Sequence, residues 1–306
     1  MSAVPPVLRA AVVARSLEDT FRIFTDEIGA WWPLSTHSVF QAESGGVHFD
    51  DGQLVEWAID GRQSIWAEVL AWEPPHRLVL DWHPGAELGA TGTVEVTFTE
   101  SDDGTRVDVA HRGWEAFGAD GLARRRGYVG PSAWGHVLDH LADGTELHVD
   151  GDGLDELEAA YDAFFAEAGA GGFGAPADGG WTADQVIAHV ALNDLALTAV
   201  AHSLIHRSEP TFTNIACQDP AHLAAIVDRF PDRDGLLAFG RRCADQAIGA
   251  VRRLDDEQRA HPVVGRFEHD GELVMEEAMP WGRVAIEIQA SSHLPGHVDQ
   301  LRGLRN

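Results

Sequence analysis

Ser292-His-Leu-Pro-Gly-His-Val-Asp-Gln-Leu301 is the stretch from which the second half of this chain can be read. His293 and His297 stand four apart, so on a helix both imidazoles project from one face and can share a metal ion. A third histidine, His189, lies far upstream in a similar setting, Trp181-Thr-Ala-Asp-Gln-Val-Ile-Ala-His189. Two ligands on one helix and one on another make a three-histidine site with an open position, as in catalytic metal centres. The competing interpretation is two solvated histidines sharing a face by chance, with His189 a core residue bonded to a neighbouring helix. Zinc, nickel and iron all suit imidazole, so the spacing points to a divalent transition metal without choosing one. Asp184, Asp194 and Asp299 are near enough in sequence to orient the imidazoles from behind. Pro295 falls between the last two histidines, so the helix must either kink there or begin there.

Outward from this stretch the pattern is helical. Thr182 caps a helix running to about His206, with Asp184 and Gln185 in its first turn. Asp155–Ala168 and Gly235–Leu254 read as long helices, and His222–Phe230 as a short one closed by Pro231. Val263–Glu268 and Glu272–Glu277 form a strand pair hinged on Asp270-Gly271, before the last helical stretch from about Val284. Four main helices suggest a bundle whose core can host a metal. Histidines 202, 206, 222, 261 and 269 sit in polar contexts and read as surface.

The first half has the other periodicity. Thr93-Val-Glu-Val-Thr-Phe98 alternates cleanly, the mark of a sheet with one wet face. Leu8–Val13, Val47–Phe49, Gln53–Ile59, Ser64–Trp72, Leu78–Trp82, Thr91–Thr99 and Thr105–His111 are strands punctuated by Asp-Gly and Pro-Gly turns. Ser16 caps a helix to about Ile28, and helical spacing returns from Tyr128 to Leu141. A long helix lying across a curved antiparallel sheet can enclose a cavity. The first half also holds a crowd of tryptophans, either a large aromatic core or the lining of an apolar pocket. Trp66, Trp82 and Trp134 are the cavity candidates, with His37 and His111 as polar anchors.

Bulk properties narrow the function. A chain of 306 residues with 44% hydrophobic content supports two domains, 1–150 and 151–306, with the boundary between Gly144 and Leu154. The net charge is −27 and every basic residue is Arg. Such a chain lacks the basic surface that nucleic acids or anionic membranes require, and it has no lysine for a Schiff base or a Walker motif. No 18-residue apolar run and no signal-like N-terminus are visible, so a soluble, cytoplasmic protein is expected. Cys217 and Cys243 are expected to be free and structural. No Ser-His-Asp order, P-loop or dinucleotide glycine motif appears, and no catalytic residue is assigned. Oligomeric state is not readable.

Phe21-Arg-Ile-Phe-Thr-Asp-Glu-Ile-Gly-Ala-Trp-Trp-Pro33, Asp51-Gly52, Trp66-Ala-Glu-Val69, the Thr93–Phe98 strand, Gly104-Thr-Arg-Val107 and His111-Arg-Gly-Trp114 resemble the START-like (SRPBCC, Bet v-like) superfamily. The specific branch that they resemble is the one named for its similarity to the Aha-type activator of the heat-shock protein ATPase. Gly180-Trp-Thr-Ala-Asp-Gln-Val-Ile-Ala-His189 and His293-Leu-Pro-Gly-His297-Val-Asp-Gln-Leu-Arg302 resemble the DinB-like superfamily, which includes mycothiol-dependent maleylpyruvate isomerases. The resemblances imply an α+β chain: a START-like helix-grip domain, then a DinB-like four-helix bundle. They also imply a metal on His189, His293 and His297. The expected function is binding of a hydrophobic small molecule, aromatic or polyketide-like, in the START-like cavity. The alternative is a metal-dependent transferase or isomerase using a low-molecular-weight thiol of the mycothiol type, or a hydrolase. A third reading, a chaperone-ATPase activator, rests on the family name.

Overall fold

The computed structural model describes residues 4–34, 36–85, 91–130, 133–143, 153–176, 180–205, 209–269 and 272–305. The chain divides into two compact units. The first holds the N-terminal residues to Val39, Val47–Glu56 and the chain from Gln63 to the end of the helix at Trp134–Asp143; the second holds Phe40–Gly46, Trp57–Arg62 and the helical C-terminal half. The expected boundary at residue 150 falls outside the described residues. The assignment of 40–46 and 57–62 to the second unit was not foreseen.

The first unit is a curled antiparallel sheet with helices, the α+β form expected of a START-like domain. Its strands are β1 (Val7–Val13), β2 (Ser44–Asp50), β3 (Gln53–Ala58), β4 (Gln63–Glu73), β5 (Arg77–Trp82), β6 (Gly92–Ser101) and β7 (Gly104–Arg112), in the order β1-β7-β6-β5-β4-β3-β2. The alternation of β6 does what it promised: Val94, Val96 and Phe98 are buried while the residues between them are not. Helix α1 (Leu17–Thr25) starts where Ser16 accepts the Asp19 N–H at 3.2 Å, and it buries Leu17, Phe21 and Phe24. A short α2 (Ile28–Trp31) and α3 (Gly121–Gly127) precede α4 (Trp134–Asp143). The helix expected from Tyr128 thus begins six residues later, at Trp134. Trp134, Val137, Leu138 and Leu141 form its buried face, each worth roughly 1.5–3 kcal/mol of apolar burial.

In the second unit α5 (Leu154–Gly169), α6 (Ala183–Ile205), α9 (Arg233–Arg252) and the C-terminal helical segment pack on one another. Two short helices, α7 (Ile215–Gln218) and α8 (Pro220–Arg229), and the turn α10 (Asp256–Ala260) fill the connections. Helix α6 is long and apolar enough to cross a membrane, but it is buried on nearly every side, as an all-round apolar helix in a core must be. A reciprocal cap starts it, Gln185 N–H on Thr182 Oγ1 at 3.2 Å and Thr182 N–H on Gln185 Oε1 at 2.9 Å. A three-stranded sheet is added, β10 (Glu272–Pro280), β9 (Pro262–His269) and β8 (Thr211–Thr213), with β8 parallel to β9. The hairpin was expected and β8 was not; the Asp270-Gly271 turn lies outside the described residues. Gly45 is required by close approach: a Cβ there would stand 2.5 Å from the Leu195 Cβ.

Candidate functional site

The C-terminal segment explains how Pro295 is tolerated. Arg283–His293 is wound as a π-helix, with i→i+5 hydrogen bonds, and the last of these runs from Leu294 N–H to Gln289 O. Normal winding resumes in α11 (Leu294–Gly303), where Pro295 occupies the first turn and its missing N–H costs nothing. The helix therefore begins anew between the two histidines without turning either away. His293 Nε2 lies 3.2 Å from His297 Nε2 and 3.1 Å from His189 Nε2. One ligand atom from each imidazole falls within 4.8 Å of the others.

Two of these rings have fixed tautomers. His189 Nδ1 donates to the Cys217 carbonyl at 2.7 Å, and His297 Nδ1 donates to Gln300 Oε1 at 2.8 Å. A carbonyl oxygen only accepts, so both Nε2 atoms carry lone pairs aimed at one point. His293 Nδ1 is buried without a partner among the described residues. Burial lowers the His189 pKa to about 3, helped by His297 and opposed by the Cys217 hydrogen bond. Burial, then His297 and His189, holds His293 well below its usual value, and burial also lowers His297. All three are neutral at neutral pH, the form that binds metals. A tetrahedral ion with bonds of about 2.0–2.1 Å has ligand–ligand edges of about 3.3–3.4 Å, close to the 3.1 and 3.2 Å that separate His293 Nε2 from the other two nitrogens. The donor set thus fits a zinc-like ion. The cluster opens on a cavity of about 760 Å³ whose walls include Trp181, Phe212, Asn193 and Gln289. Trp181 lies 4.7 Å, ring to ring, from His189.

The three aspartates expected behind the histidines have other partners. Asp184 accepts from Arg233 at 2.6 Å, and Asp299 is exposed and pairs with Arg302 at 3.2 Å. Asp194 is fully buried and accepts the Tyr161 hydroxyl at 2.6 Å, and burial pushes its pKa well up. Carbonyl and carboxamide oxygens take the place meant for carboxylates. Gln300 could have been found, since it is three residues from His297 on one helix face. The Cys217 carbonyl, a backbone atom on another element, left no sequence signal. Cys217 and Cys243 are buried free thiols, as read; burial raises Cys217 to about 12. His202 is buried, contrary to expectation, while His206 and the His269 side chain lie outside what is described.

In the first unit Trp66, Trp82 and Trp134 are buried and share Trp32 as a common neighbour, at ring distances of 5.3, 5.9 and 5.9 Å. His111 joins this cluster as acceptor, its Nδ1 taking the Trp134 Nε1–H at 3.2 Å, and burial lowers its pKa to about 3. His37 is half-buried beside His136, ring to ring 5.5 Å, and its carbonyl accepts from Trp32 Nε1 at 2.8 Å. Sequence reading missed Glu56, a fully buried carboxylate that accepts from Trp66 Nε1 at 2.9 Å, Val39 N–H at 2.8 Å and the Ser38 hydroxyl. It also missed His83, buried with neither ring nitrogen partnered among the described residues.

Residues 14–159 match the family described as Activator of Hsp90 ATPase homolog 1-like protein. Solved structures with similarity to the chain include an anthrahydroquino-gamma-pyrone synthase, Txn09, at 32% identity, covering 46% of this chain and 97% of that one with a TM-score of 0.34. Protein MLL2253 from Mesorhizobium loti is 23% identical over 45% of this chain and 93% of its own, TM-score 0.33. Protein Ms6760 from Mycobacterium smegmatis is 18% identical over 48% and 93%, TM-score 0.34. No curated protein matches the chain.

Proposed function

We propose that the second unit is a DinB-like, metal-dependent enzyme domain in which His189, His293 and His297 hold one divalent transition metal, zinc or nickel. The observation that carries this is the convergence of three neutral imidazoles, two with lone pairs fixed by Cys217 O and Gln300 Oε1. Such an ion, when bound, polarises a substrate oxygen and brings a coordinated water or thiol to ionise near neutrality. The chain's own part is to keep the imidazoles unprotonated by burial, to lock two tautomers, and to leave one side of the cluster facing the cavity. The reaction class is transfer or isomerisation with a low-molecular-weight thiol, or hydrolysis.

For the first unit the reading is binding of a hydrophobic small molecule, supported by the family match and by the buried ring of His83, next to Trp82 in sequence and without a partner among the described residues. A buried polar ring without a partner is costly unless water or a ligand meets it. Protein purified without chelator and supplied with zinc or nickel should hold one ion per chain by elemental analysis. His293→Ala should hold none and leave tryptophan-detected ligand binding by the first unit intact. A wild-type protein that stays metal-free under those conditions sinks the enzyme reading.

A further inference from the structure

Helix α6 and the π-helical segment run antiparallel past the histidines, and this creates a second rung. Asn193 is one turn beyond His189, and Gln289 is four residues before His293. Their side chains meet, Asn193 Nδ2 donating to Gln289 Oε1 at 3.2 Å, just as His189 meets His293 at 3.1 Å. Asn193 is 3% exposed and Gln289 4%, and both line the cavity. Each has spent one half of its carboxamide on the other. Besides a side-chain interaction of Asn193 with Asp194, nothing among the described residues partners Asn193 Oδ1 or Gln289 Nε2 in a hydrogen bond. An acceptor and a donor are thereby left side by side, about 5.4 Å along the helix from the imidazoles. Asn214, also in the wall, has both halves of its carboxamide on the Glu268 backbone, whereas Gln218 and Gln300 each use one atom, on Glu268 O and on His297, and stand apart from this rung. Apart from the three imidazoles, none of the described lining side chains is ionisable, in a chain carrying a net charge of −27.

We infer that the Asn193–Gln289 pair is a specificity-determining clamp that selects an uncharged, amide-bearing ligand, holding its amide one turn from the atom directed at the metal. This rests on the metal reading above. The donor–acceptor pair matches an amide's own C=O and N–H. A carboxylate offers no donor to Asn193 Oδ1 and finds no cationic side chain in the described lining, and an apolar group leaves both polar atoms unpaired.

The test uses the full chain loaded with cobalt(II) and three thiols of matched size: 3-mercaptopropionamide, 3-mercaptopropionate and 3-methylbutane-1-thiol. Affinity is read from the thiolate-to-cobalt absorption. Two recovered hydrogen bonds should give the amide about a tenfold advantage over each of the others. Gln289→Met should erase that advantage while leaving the cobalt spectrum unchanged. Asn193→Leu, which removes the free acceptor without adding a charge, should do the same if the methionine variant folds poorly. A wild-type protein that binds all three alike, prefers the carboxylate, or keeps its preference in both variants overturns the clamp and leaves the metal site standing. Absence of any cobalt spectrum overturns the metal reading, and the clamp with it.

Discussion

His111 and His189 are both buried, both neutral and both held to a pKa of about 3, yet they belong to different kinds of interior. His111 has its Nδ1 lone pair filled by Trp134 and aromatic rings on either side, Trp114 at 4.1 Å and Tyr128 at 4.6 Å. Its lone pair is thereby spent on a neighbour within the first unit. His189 has its proton placed outward on Cys217, and its lone pair faces two more imidazoles. Titration behaviour cannot tell the two apart; the direction of the free lone pair can. The first unit carries the same self-sufficiency further at Glu56, whose carboxylate gathers three donors.

The contrast breaks most readily at Glu56. Glu56→Ala would strand the Trp66 and Val39 N–H groups and the Ser38 hydroxyl, at about 1–3 kcal/mol for each left unsatisfied. Urea unfolding followed by tryptophan fluorescence should show a loss of at least about 3 kcal/mol. A loss within 1 kcal/mol would mean that water already serves these donors, and the first interior is not self-sufficient.

Acid gives the next largest effect. The folded pKa of His111 lies below its unfolded value of 6.5, so its contribution is fully present above pH 6.5. It is lost progressively as pH falls from 6.5 toward about 3, by up to about 1.4 kcal/mol per unit. His111→Gln cannot ionise and still accepts from Trp134. It should flatten the stability profile of the first unit over that window; an unchanged slope would reject the burial argument.

In metal-free protein, His293→Leu should be tolerated, within about 1 kcal/mol of wild type. It removes a buried imidazole whose Nδ1 has no partner and supplies an apolar group of suitable size. Zinc should then raise the melting temperature of wild type and not of the variant. A large destabilisation without metal would make the cluster a structural hydrogen-bond network. The smallest effect belongs to Asp299→Ala: an exposed pair with Arg302 should contribute less than about 0.5 kcal/mol and leave metal content unchanged.

The sequence made some of this legible for physical reasons. Val94, Val96 and Phe98 alternate because one face of β6 is wet, and Thr182 and Gln185 mark the start of α6 because a cap is a local interaction. His293 and His297 lie together because they stand four apart on one helical segment, and His189 lies with them, one ring nitrogen of each within 4.8 Å of the others. Glu56 was hidden because β3 is buried on both faces from Leu54 to Ala58, so the usual reading of a strand carboxylate as solvent-facing fails. The π-helical winding of Arg283–His293 leaves no mark in propensity, since the same residues form an ordinary helix equally well. The allegiance of residues 40–46 and 57–62 depends on distant partners such as Phe239, 4.3 Å from Trp57, which no local pattern encodes.

The two rungs, His189 with His293 and Asn193 with Gln289, also fix how the chain can assemble. Apolar helices slide past one another with little penalty because one leucine resembles the next. Here a shift by one turn would set an imidazole opposite a carboxamide at one rung and an apolar side chain opposite a polar one at the other. The ladder therefore works as a two-toothed key. Among the dockings that the apolar residues of α6 would accept about equally, it favours this one.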